Sequence, residues 1–165
     1  MKKISQLTGI IYRVRDSIYK ENLREIYLSL AYPHLLYCSS LWEGGAFKTY
    51  IDSLFIQQKK LVRIMSHSQR YDHTHPFLAS LKLLKLPDIL YLQTCVLVYG
   101  ALHLDRNNTR NVLTLQFPLC RTSHAQQSIQ FRGPKLWNQL QNNLKDINSR
   151  AKFKRDLRII MAEYN

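Results

Sequence analysis

The stretch from Asp88 to Leu104, DILYLQTCVLVYGALHL, is apolar nearly all round when wound as a helix. A helix without a polar face needs cover on every side. In a water-soluble chain that places it at the centre of a core, with amphipathic helices laid around it. A bilayer is the other solvent that covers such a helix. Gln93 interrupts the run and Pro87-Asp88 precedes it, so it falls short of the roughly 18 apolar residues of a spanning helix. The expectation is a mainly α chain with no membrane partner.

The flanking sequence supplies the covering helices. Ile4, Leu7, Ile10, Ile11 and Val14 repeat at helical spacing. Tyr19, Leu23, Ile26, Tyr27 and Leu30 form a second stripe, with Asp16-Ser17 placed to cap it and Pro33 to end it and open the next helix. His34 to Trp42 reads as a short buried helix, broken at Glu43-Gly44-Gly45. A long helix from Phe47 to Ser66 follows. Tyr50, Ile51, Leu54, Phe55, Leu61, Val62 and Met65 fall on one broad face, while Lys59, Lys60, Arg63 and His67 fall roughly opposite. His67 to His75 is a polar loop, and Pro76 to Leu84 a short helix.

The character changes at Asp105. Asp105 to Arg110, DRNNTR, reads as a linker. Leu113, Leu115 and Phe117 alternate with polar residues, as do Ile129 and Phe131, which predicts a β-hairpin. Gly133-Pro134 then reads as a turn, anchored by Trp137. Ser149 is placed to cap a closing helix with the stripe Phe153, Leu157, Ile160, Met161 and Tyr164, and with Lys152, Lys154, Arg155 and Arg158 outside. The expected architecture is a helical bundle over residues 1–104 and a small module over 105–165 containing the hairpin and the closing helix.

Few catalytic classes find support. The chain lacks G-x-S-x-G, G-x-x-x-x-G-K-[ST] and G-x-G-x-x-G. Its acids are scattered singly, with no adjacent aspartates for a two-metal site. Cys38, Cys95 and Cys120 are far apart and odd in number, against a disulfide scaffold or zinc knuckle and in favour of an intracellular setting. The start, MKKISQLTGIIYRVRD, has no long apolar run of the secretory kind. His67, Asp72, His73 and His75 share a loop, but three or four donors in defined geometry are needed for a metal. Polar loop residues are the plainer reading, and no metal or cofactor is expected.

Charge is the informative quantity. Lysine and arginine total 24 against 11 acids, a formal net charge of +13. Such an excess favours polyanionic partners, nucleic acid first. The candidate contacts are Lys59, Lys60, Arg63, Arg70, Lys154, Arg155 and Arg158. Aromatic and basic residues also adjoin at Tyr19-Lys20, Arg70-Tyr71 and Phe153-Lys154. Tyr19 and Phe153 lie on apolar stripes and read as core. Arg70-Tyr71 reads either way.

Several segments resemble, in order, the region after the catalytic palm of non-LTR (LINE-type, Jockey- and CR1-like) retrotransposon reverse transcriptases. They are ISQLTGIIYRVRD at Ile4 to Asp16, YLSLAYPHLLYCSSLW at Tyr27 to Trp42, LFIQQKKLVRIM at Leu54 to Met65, NTR at Asn108 to Arg110, Arg121-Thr122, RGPKLWNQL at Arg132 to Leu140 and FKRDLRIIM at Phe153 to Met161. The resemblance implies a helical thumb that packs against a template–primer duplex, and a missing palm domain that would pack against the helices. The family's catalytic aspartate pair lies upstream of the matched segments, so the chain is expected to lack a polymerase centre. A helical scaffold or interaction remnant with no nucleic-acid role is the competing expectation. A metal-dependent enzyme built on the loop histidines is a third.

Overall fold

The computed structural model describes residues 2–37, 48–104, 114–126 and 128–163. The Glu43-Gly44-Gly45 break, the Asp105–Arg110 linker, Leu113 and Tyr164 lie outside the described residues. In chain order the elements are α1 (Lys2–Val14), α2 (Lys20–Ile26), a π-helical turn (Tyr27–Ala31), α3 (Tyr32–Leu36) and α4 (Lys48–Met65). They continue with α5 (His75–Ser80), α6 (Leu86–Leu104), α7 (Ser123–Gln126), α8 (Ile129–Gln139), α9 (Asn142–Lys145) and α10 (Arg150–Glu163). No strand occurs among the described residues. No helix among them is long and apolar enough to cross a membrane.

The all-apolar helix is the axis of the molecule. Leu86 and Leu90 of α6 belong to a first core cluster, with Ile4 and Ile11 of α1, Leu23 of α2, and Leu61, Val62 and Met65 of α4. Ile89, Leu92, Cys95, Val96 and Tyr99 face a second cluster, with Trp137 of α8, Leu144 of α9, and Phe153 and Leu157 of α10. One helix thus supplies both cores, which is why it shows no polar stripe.

Helix α1 packs along α4. Their junction with the rest of the first cluster is fixed by Gln58. Its amide nitrogen donates to the Tyr27 hydroxyl and to the Leu84 carbonyl, both at 2.9 Å, and its oxygen accepts from the Leu86 amide at 2.8 Å. One buried side chain therefore ties α4 to the π turn and to the start of α6. Each group it satisfies would otherwise carry a desolvation cost.

Pro33 opens the next helix as expected, but it does not end the one before it. It sits in the first turn of α3, and the helical path continues through it. The Tyr32 amide bonds to the Tyr27 carbonyl five residues back. Widening the turn by one residue absorbs the amide that proline lacks. Asp16-Ser17 does not cap α2, which starts at Lys20 with Tyr19 at its N-cap and no side-chain cap bond. Tyr19 is 81% exposed, and Leu30 is also exposed. The buried stripe is the narrower set Leu23, Tyr27 and Ala31.

The expected β-hairpin does not form among the described residues. Ile129 and Phe131 lie in α8, and the helix runs straight through Gly133-Pro134, which the sequence marks as a turn. Residues 114–121 are irregular. The Asn138 side chain accepts from the Leu115 amide at 2.8 Å and donates to the Leu115 carbonyl at 2.9 Å. A side-chain amide thus takes the place of the partner strand. The helix wins over the turn because it buries Trp137 completely and lays Gly133 against α6. A Cβ on Gly133 would stand 2.8 Å from Val98 Cγ2.

Candidate nucleic-acid interface

The seven basic residues that the sequence nominates have unequal surroundings. Lys60 on α4 is exposed. Lys59 is half-buried, its Nζ 4.1 Å from the centre of the Phe55 ring. Arg63 donates from Nε to the Asp72 carbonyl at 3.0 Å and so holds the loop after α4. Arg70 in that loop is exposed, and beside it Tyr71 is 88% exposed. The Tyr71 ring therefore lies outside the core.

On α10, Lys154 and Arg155 are exposed, and Arg155 Nε lies 3.3 Å from Asp156 Oδ1. Phe153, between Lys152 and Lys154, is fully buried, as its stripe requires. Arg158 is half-buried at the rim of a groove shared with Arg24, Lys82 and Lys85. The fold therefore brings Arg158 together with three cations that the sequence does not nominate. Nothing in local spacing reveals that grouping, since the four come from α2, the segment after α5, and α10. The α4 and α10 cations remain on separate helices, each packed on α6.

The motif LFIQQKKLVRIM owes much of its character to internal tasks. Gln58 and Arg63 bond within the fold, and Leu61, Val62 and Met65 are buried. The same holds for RGPKLWNQL, where Gly133 allows close packing, Trp137 fills the second core and Asn138 grips Leu115. No family model, curated protein or solved structure matches the chain.

The loop histidines do not converge. His67 Nδ1 lies 3.4 Å from Asp16 of the α1–α2 connection, and Asp72 accepts from the Gln69 amide at 2.7 Å. Among the described residues, no group of three or more histidine, cysteine, aspartate or glutamate side chains is placed to hold a metal ion.

Burial perturbs several tyrosines. Burial pushes the Tyr27 phenol up to about 12, partly opposed by the Gln58 hydrogen bond. Burial also raises Tyr32, with the Arg158 charge pulling it down. Neither is an acid or base suited to proton transfer near neutral pH. What the surface offers is positive charge on a helical frame.

Proposed function

We propose that this chain binds the backbone of a nucleic-acid duplex or RNA–DNA hybrid, as a thumb-like helical region related to LINE-type reverse transcriptases, and that its role is positioning without chemistry. The observation that carries the proposal is the charge: a net +13 on a chain whose Lys60, Arg70, Lys154 and Arg155 face solvent. Lys59 and Arg158 are secondary contacts, because both are partly occupied inside the fold. Arg63 serves the loop more than a ligand. Tyr71, exposed next to Arg70, offers a stacking face to an unpaired base.

The order of the resembling segments along the chain supports the origin. On this reading the matched segments correspond to the part of that polymerase that lies against the duplex, downstream of its catalytic aspartates. The palm of the parent polymerase would pack against the helical region.

The test is equilibrium binding to hybrids and duplexes of unrelated sequence across a salt series. The proposal expects log K to fall linearly with log salt and to differ little between sequences, because phosphate contacts are shared by all. Binding insensitive to salt, or confined to one sequence, would refute backbone recognition.

A further inference from the structure

The groove that contains Arg158 has a composition that phosphate binding does not explain. It measures about 430 Å³ and opens between α5, residues 82–85 and α10. Leu78, Leu83 and Leu84 supply apolar surface. Ala79 and Ala162, both exposed, leave it open, and Ile159 lines it while 51% exposed. Around this apolar surface stand Arg24, Lys82, Lys85 and Arg158. Two acids adjoin them: Glu25 lies 2.8 Å from Arg24, and Asp88 lies 3.9 Å from Lys85. The rim is therefore cationic in excess.

From this we infer that the groove docks an acidic amphipathic helix of a partner protein, its apolar side chains seated between α5 and α10 and its carboxylates meeting the rim. A nucleic-acid backbone has phosphates for the rim but no aliphatic groups for the interior. A second copy of this chain would bring its own cationic rim and be repelled. A small amphiphile has one headgroup, whereas the cations come from three separate segments around the groove. A helix with acids flanking an i, i+3, i+4, i+7 apolar ridge satisfies both the interior and the rim.

The test uses the whole chain and a fluorescein-labelled peptide of about 16 residues, with leucines at helical spacing and glutamates on the flanks. A scrambled peptide of the same composition removes the apolar ridge but keeps the charge. Ala79→Phe fills the groove from an exposed position. Lys82→Gly removes one rim cation where the backbone, at φ 51°, already suits glycine. The inference expects the ordered peptide to bind, Ala79→Phe to weaken it at least about tenfold, and Lys82→Gly to weaken it by a smaller factor, with melting midpoints showing both variants folded. Hybrid binding by Ala79→Phe should stay close to wild type, because Lys60, Arg70, Lys154 and Arg155, the main phosphate contacts, lie outside the groove and only the secondary contact Arg158 lines it. The inference is overturned if the scrambled peptide binds as tightly, if Ala79→Phe has no effect, or if octyl sulfate occupies the groove while the peptide does not bind.

Discussion

Gln58 shows how much one polar side chain can hold. It is buried with both ends of its amide engaged across three elements. Gln58→Ala leaves the Leu84 carbonyl, the Leu86 amide and the Tyr27 hydroxyl without that partner. At about 1–3 kcal/mol for each unsatisfied buried group, the expected loss is at least about 3 kcal/mol in urea unfolding. Its partner Tyr27 sets an alkaline limit. Tyr27 is folded with a phenol pKa of about 12 against an ordinary 10. Its stabilising effect is full below pH 10 and is lost as pH rises towards 12, because the unfolded chain releases the proton first. Unfolding midpoints measured from about pH 9 to 12 should fall across that window, and Tyr27→Phe should flatten the fall. Two helix ends carry a local strain instead. His67 and Lys82 have φ of 54° and 51°, and each follows a helix whose last carbonyls are closed by the next two amides. This is the Schellman arrangement, in which glycine is the unstrained residue. Lys82→Gly should therefore raise stability by about 1 kcal/mol, read as a higher melting midpoint.

The elements differ in how plainly the sequence announces them. The range of α6 and its central place follow from an apolar run with no polar face. The α4 stripe is equally plain, apart from Gln58, whose polarity hides its place on the buried side. The segment after Asp105 misleads. Alternation at Leu115 and Phe117 suggests a strand, but residues 114–121 are irregular and the Asn138 side chain, not a second strand, pairs with the Leu115 backbone. Gly133-Pro134 reads as a turn because both residues break helices locally, while the decisive contact, with Val98, is 35 positions away in sequence. That contact gives a sharp test. Gly133→Ala places a methyl 2.8 Å from a stiff β-branched side chain. It should destabilise by about 1–3 kcal/mol in chemical denaturation, and Val98→Ala in the same chain should recover part of the stability. The basic groove around Arg158 is likewise illegible in sequence, because its lining comes from α2, α5, residues 82–85 and α10, which only the folded chain brings around one space.

At the scale of the whole molecule, two apolar clusters share α6, and positive charge covers the outside. The buried motif residues hold the frame, and the cations Lys60, Arg70, Lys154 and Arg155 are exposed, the residues on which the proposed polyanion binding rests. The most direct measurement compares wild type with the variant carrying glutamine at those four positions, in salt-dependent binding to an RNA–DNA hybrid. The four residues are exposed, so the variant should unfold at nearly the wild-type denaturant concentration. Each phosphate that the variant no longer neutralises should reduce the slope of log K against log salt by about 0.7–0.9. The account predicts a shallower slope and weaker binding to every sequence alike. An unchanged slope in the folded variant would contradict it.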